Sequence, residues 1–164
     1  MFDIVAERPH DAAPREQLLD LVFGPARMQR TVYRLRDGVA PVRALSLVAL
    51  FDGAFQGSLR FWPVRVAGAA APLLLGPLAV DPARRGQAIG VALVRRGLRE
   101  VARCGHDLVL VVGEPHYYAR FGFEPAPPFG LSLPGPVDET RFQVLVLDQS
   151  IRGSVGGGVT RAAT

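Results

Sequence analysis

The sequence predicts a mixed α/β domain: a central, mostly antiparallel sheet that contains one parallel pair of strands parting from each other, with helices on its flanks. Three observations carry that expectation. Residues 73–80 (LLLGPLAV) and 107–112 (DLVLVV) are nearly continuous apolar runs, the pattern of strands covered on both faces, and an amphipathic segment lies between them. A strand, a helix and a second buried strand in that order form a crossover unit whose strands run parallel, joined with right-handed sense. Asp52-Gly53, between two apolar stretches, is a strong hairpin signal and places antiparallel strands ahead of that unit. Within the first buried run, Gly76-Pro77 is an interruption. Proline has no N–H for a ladder and glycine tolerates unusual dihedrals, so the pair predicts a bulge or a splaying of the sheet at mid-strand. Such a gap would admit a ligand.

Taken in order, Phe2–Ala6 is a short strand candidate. Pro9 and Asp11 open a helix whose apolar positions Leu18, Leu19, Val22 and Phe23 recur at helical spacing, and Gly24-Pro25 stops it. A weaker helical segment covers about residues 26–35. Residues 43–51 read as one strand, returned by the hairpin into a second that carries Phe55, Leu59, Phe61 and Val64. The small residues 67–71 make a loop into the central run, which Asp81-Pro82 ends. Beyond the turn, Ile89, Leu93, Val94, Leu98 and Val101 form one apolar stripe while Arg95, Arg96, Arg99 and Arg103 fall mostly elsewhere, giving an amphipathic helix that ends near Gly105. Residues 115–121 suit a short helix. Phe123 begins a strand soon broken by Pro125, Pro127 and Pro128, and residues 142–147 are the last strand candidate. No linker or repeat divides the chain, so residues 1–164 read as a single domain, with a glycine-rich tail from Gly153 whose composition suits a mobile end.

Composition excludes several classes. A chain of 164 residues holds one domain with a real core and is too short for two comfortable ones. With 49% hydrophobic and 21% charged residues it is not disordered. The net charge of +4 comes from arginines alone, since there is no lysine. They are scattered, without a dense run and without interleaved aromatics, which argues against a nucleic-acid partner. One cysteine, Cys104, excludes an intrachain disulfide and a thiolate metal cluster, and three scattered histidines show no ligand spacing, so no metal is expected. The N-terminus has no secretory pattern and no apolar run is long enough to span a bilayer, so the expected location is the cytoplasm with no membrane partner.

The chemistry concentrates after the central run. Arg84, Arg85 and Gln87 surround Gly86 just before the amphipathic helix. The first four N–H groups of a helix have no internal partner, and the dipole places roughly half a positive charge there. The turn therefore predicts a site for a phosphorylated ligand. Arginines in such a turn also commonly pair with a carboxylate, for which Asp81 is the neighbour.

Arg85-Gly86-Gln87-Ala88-Ile89-Gly90 resembles the acyl-CoA pyrophosphate motif of the GCN5-related N-acetyltransferases (GNAT), Gln/Arg-x-x-Gly-x-Gly/Ala. Ala88 stands where that family usually has glycine; it still presents its N–H and can take a right-handed helical conformation. Tyr117-Tyr118-Ala119-Arg120-Phe121-Gly122-Phe123 resembles the family's distal segment, aromatic-Tyr-x-x-x-Gly-Phe. The two partial motifs come in the family's order, with a helix and a strand between them, and the resemblance covers about residues 43–126.

The resemblance implies the GNAT fold and acetyl-CoA as cosubstrate. It implies that the backbone of Leu78, Ala79 and Val80 orients the thioester and pantetheine arm, while donors from Arg85, Gly86, Gln87, Ala88, Ile89 and Gly90 hold the pyrophosphate. The acetyl group would pass to a primary amine of a small-molecule or protein acceptor by direct attack, with Tyr118 as general acid for the departing thiolate. A phenol stays protonated at neutral pH and can donate to such a sulfur. The plain alternative is that Tyr117 and Tyr118 are core aromatics with satisfied hydroxyls. For the base, the central strand offers no acidic side chain before Asp81. Glu114 and His116 are the nearest candidates, against plain roles as a helix cap and a surface histidine. Cys104 is expected to be a small buried apolar residue. Family members can use the end of the chain to complete the sheet, which is the other fate open to the tail. A non-catalytic acyl-CoA-binding or sensing module of the same fold is the alternative function. A nucleotide-phosphate binder is disfavoured by the missing Gly-Lys-Ser/Thr ending and dinucleotide spacing. A monomer or a homodimer would serve either function.

Overall fold

The computed structural model describes residues 1–86 and 88–162. In chain order its elements are β1 (Phe2–Ala6), α1 (Ala12–Phe23), α2 (Val32–Arg36), β2 (Leu47–Phe51), β3 (Ala54–Ala67), β4 (Pro72–Val80), α3 (Ile89–Arg103), β5 (Leu108–Val112), α4 (Pro115–Ala119), β6 (Glu124–Pro125), β7 (Leu131–Ser132), β8 (Phe142–Val146) and β9 (Gly156–Arg161). The main sheet runs β1-β2-β3-β4-β5-β8-β6, and all its pairings are antiparallel except β4 with β5.

Local chemistry explains the first half. Asp52 and Gly53 both have positive φ, 49° and 83°, the mirror-type turn whose twist matches two paired strands. Residues 43–45 depart from the strand expected there. Leu45 N–H donates to the Val42 carbonyl and Ser46 Oγ to the same oxygen, closing a short helical turn, so the strand starts only at Leu47.

Both faces of the central strands are covered, as their continuous apolar runs require. On one face Leu73 and Leu75 pack with Ile89, Leu93, Val94 and Val101 of α3; on the other Leu74 joins Leu35, Trp62 and Val144. The side chains alternate because successive Cβ atoms of a strand point to opposite faces. Helix α3 can lie close because position 97 is glycine: a Cβ there would stand 2.7 Å from Cε1 of Phe61.

The glycine-rich tail takes the second of its two fates. β3 pairs with β4 as far as Pro63, and from Val64 onward its edge is covered by β9, which also pairs in parallel with β7. Ladder hydrogen bonds come from the backbone, so a glycine-rich segment closes an exposed edge as well as any other. Among the described residues no helix is long and apolar enough to cross a membrane.

Just past β1, the Glu7 carboxylate ties three elements together. It accepts from Arg60 Nε at 2.9 Å and Nη2 at 2.7 Å, and lies 3.0 Å from Arg15 Nη1. Burial pushes its pKa up, but Arg60 and Arg15 outweigh burial and hold it below the ordinary glutamate value. A folded-state pKa below the unfolded one contributes stability that is present above the unfolded value and lost as pH falls through the folded one. Glu7→Gln should therefore flatten the acid limb of stability against pH, measured by urea unfolding between neutral pH and about pH 3. Gly97→Val should destabilise the domain by about 1–3 kcal/mol through overpacking against Phe61; an unchanged urea midpoint would contradict the close approach.

Candidate active site

β4 and β5 are paired at only three positions, Pro72 with Leu108, Leu73 with Val109 and Leu74 with Leu110. Then they part. Gly76 has φ 129°, and its carbonyl is taken by Trp62 Nε1 at 2.6 Å. Pro77 has no N–H to offer β5. β4 continues bound to β3 alone, with Leu78 opposite Leu59, Ala79 opposite Ser58 and Val80 opposite Gly57, after a register shift between Leu59 and Phe61. Both alternatives expected of Gly76-Pro77 are present, a bulge toward β3 and a splay away from β5. A gap of about 190 Å³ results, with Leu75, Pro77 and Leu78 on one wall and Val111, Gly113 and Tyr118 on the other.

At the carboxyl end of β4 the chain turns into α3. Asp81 does not serve as an arginine partner: its Oδ1 accepts the N–H of Ala83 at 2.9 Å. Arg84 stacks 3.7 Å over the Phe51 ring, and among the described residues neither Arg84 nor Arg85 pairs with a carboxylate. Ala88 does not take the right-handed conformation open to it. With φ 59° and ψ 21° it is in the left-handed region, because the chain must swing from extended Arg85 into α3 within three residues. For alanine this costs about 1–2 kcal/mol, which a glycine would not incur. Among the described residues no side chain caps α3, and its first turn borders a groove of about 400 Å³ lined by Val80, Arg84, Arg85, Gly86, Ala88, Gly90, Tyr117 and Arg120. Gly90 keeps that wall low, since a Cβ there would meet Tyr117 Oη at 2.8 Å. Gln87 lies outside the described residues.

Tyr118 belongs to α4, which Pro115 starts and Glu114 caps. The Glu114 carboxylate accepts the N–H groups of His116 at 3.1 Å and Tyr117 at 2.6 Å. Tyr118 is 7% exposed, edge-on to Tyr117 and Phe123 with ring centroids 5.1 and 5.6 Å away, and a side chain at Gly113 would collide with its ring. Burial, reinforced by Tyr117, pushes its phenol well above the usual value despite Arg141. Tyr118 is thus a core aromatic that also lines the gap. Glu114 also lines the gap, with both carboxylate oxygens used in capping, whereas His116 is exposed on the outer side of α4. Cys104 is exposed, not buried: the apolar stripe of α3 ends at Val101, and position 104 follows the last helical turn into solvent.

A second cavity adjoins the gap at Tyr33, Arg36 and Pro77. It measures about 470 Å³ and lies among α1, α2 and β3. Five arginines line it, Arg15, Arg27, Arg34, Arg36 and Arg60, against two carboxylates, Glu16 and Asp37. Arg27 is anchored: it donates to Asp20 at 3.0 Å, Glu16 at 3.1 Å and the Tyr33 hydroxyl at 2.7 Å, and these partners overcome burial to raise its pKa. No local signal marked these residues. They come from three separate stretches, and an arginine in a short helix reads as solvated until the neighbouring elements are in place.

Residues 43–125 match the family model described as an acetyltransferase (GNAT) domain. The uncharacterized N-acetyltransferase YhbS of Escherichia coli strain K12 is 37% identical over 157 residues, covering 93% of this chain and 92% of the relative. A crystal structure of Escherichia coli YhbS in complex with CoA superposes with a TM-score of 0.82 at 33% identity, covering 98% of this chain and 89% of that one. A Brucella melitensis GNAT family acetyltransferase in complex with acetyl-CoA gives a TM-score of 0.71 at 32% identity, covering 99% and 97% of the two chains. With half of the chain matched by that family model and a relative 37% identical across more than nine tenths of both chains, this chain belongs to the GCN5-related N-acetyltransferase (GNAT) family.

Proposed function

We propose that the protein transfers the acetyl group of acetyl-CoA to a primary amine by direct attack within a ternary complex. The observation that carries this reading is the parting of β4 from β5, which leads from an uncapped helix mouth at one end to the Tyr118 phenol at the other. The CoA and acetyl-CoA held by the two related structures support the same ligand here.

The residues suit that ligand. Open amides at Ile89 and Gly90, with Arg84, Arg85 and Arg120 around them, answer a diphosphate. Leu78, Ala79 and Val80 keep peptide groups on the edge facing away from β3, where an amide-bearing arm can pair as an added strand would. Acetyl-CoA supplies a thioester whose sulfur is a competent leaving group. As the amine nitrogen bonds to the acyl carbon, the carbon–sulfur bond breaks and the thiolate takes a proton from Tyr118 Oη. The proton lost by the nitrogen passes to water, and Tyr118 is reprotonated from solvent. The arginines of the adjoining cavity disfavour a bound ammonium, so they assist that loss.

Tyr118→Phe should lower kcat by about 100-fold or more while leaving acetyl-CoA affinity nearly unchanged, as read by free-thiol release and calorimetry; full turnover would remove the role. Because burial raises the phenol above its ordinary pKa, the acid stays protonated across the working range. Activity should rise with pH as the amine loses its proton and should show no alkaline fall below about pH 10, which a pH–rate profile tests. Arg85→Glu should raise the acetyl-CoA KM by about tenfold, and an unchanged KM would contradict phosphate contact there. A protein that binds acetyl-CoA yet releases no thiol with any amine would be a binding module.

A further inference from the structure

Arg36 differs from the other buried arginines of the cavity. Arg15 has Glu7 at 3.0 Å, and Arg27 has Asp20 and Glu16. Arg36 is equally buried, 8% exposed, but among the described residues no carboxylate pairs with it and its Nε has no hydrogen-bond partner. Its guanidinium lies 4.8 Å from the Tyr33 ring and 5.7 Å from that of Trp62, and a Cβ at Gly76 would stand 2.9 Å from Nη2. Burial, with repulsion from Arg27 and Arg60 and against the pull of Tyr33, lowers its pKa to about 10, so it remains a cation at neutral pH. An unpaired buried charge is strongly unfavourable and calls for a counter-ion. This one borders both the cavity and the gap.

We propose that the acceptor is a small amine carrying a carboxylate near its reacting nitrogen, and that Arg36 receives that carboxylate. The inference rests on the acetyltransferase reading and narrows it. A guanidinium held beside two aromatic rings matches a planar carboxylate through paired N–H donors better than a tetrahedral phosphate. A carboxylate seated there leaves an amine one or two carbons away at the mouth of the gap. The remaining charges agree. Glu16 is held by Arg27, and Asp37 lies 3.9 Å from Arg161, so the lining keeps a surplus of positive charge that repels polyamines. Leu19, Met28 and Trp62 offer apolar surface to a side chain.

The test compares methionine, phenylalanine and β-alanine with their amides, and with spermidine, as acceptors for the wild type, Arg36→Met and Arg36→Lys. In the wild type each acid should exceed its amide in kcat/KM by roughly 10- to 100-fold, although the amide carries the less basic amine, and spermidine should be poor. The ratio should fall to about one in Arg36→Met and survive in part in Arg36→Lys, with acetyl-CoA binding unchanged by calorimetry. Arg36→Met should melt no lower than the wild type, because it removes a charge that the free protein leaves unpaired; should it fail to fold, Arg36→Lys decides. Thermal shift with N-acetylmethionine and its amide reads the same preference without turnover. Equal treatment of acids and amides in both assays, or a preference that survives Arg36→Met, overturns the proposal. Loss of acetyl-CoA binding in the wild type would instead overturn the acetyltransferase reading, and the thermal shift would still decide what Arg36 holds.

Discussion

Everything at the site follows from β4 staying with β3 while it leaves β5 after three residue pairs. An unpaired peptide edge inside a sheet is costly unless water or a ligand answers it. The freed edge ends at the start of α3, whose first amides are also unanswered, and it faces α4, which carries Tyr118. Gly76 and Pro77 create the parting, and Trp62 fixes it from the opposite face by taking the Gly76 carbonyl. The same Trp62 then forms part of the adjoining cavity, so one side chain joins the opening of the sheet to the shape of the second pocket.

What was legible in the sequence was what local chemistry decides. The hairpin at Asp52-Gly53, the apolar runs of β4 and β5, the stripe of α3 and the aromatic segment around Tyr118 are each set by a few adjacent residues. The tail was not decided by its glycines but by the unpaired edge of β3 beyond Pro63, more than ninety residues earlier in the chain. The backbone of Ala88 was illegible for a related reason: its left-handed conformation is demanded by the turn from β4 into α3, which composition does not reveal. Cys104 fell one turn past the end of a stripe whose last buried member is Val101.

The cavity was the least legible part, and the reason is electrostatic. Glu7, Arg15, Arg27, Arg36 and Arg60 are ordinary surface residues by type, and only their convergence around one volume takes them out of water, while Glu16 and Asp20 pair with Arg27 from the solvent side. Pairing then sorts them. Glu7 is satisfied twice and Arg27 three times, which leaves Arg36 as the one of them to which no described residue supplies a counter-charge.

That imbalance bears on how an amine would be made nucleophilic where the one carboxylate lining the gap, Glu114, is occupied as a helix cap. An amine next to its own carboxylate holds its proton more tightly than the same amine next to a neutral amide. At an effective dielectric of about 20, a unit charge about 6 Å away changes a protonation free energy by about 3 kcal/mol, roughly two pKa units. Pairing the carboxylate with Arg36 cancels that influence, and the other arginines of the lining push further in the same direction. On the proposed reading, recognition and activation are therefore one event: the group that holds the acceptor also removes its reason to stay protonated. The stability forgone by leaving a guanidinium unpaired in the free protein is the counterpart of that function, as expected where a site requires a charge that the fold does not.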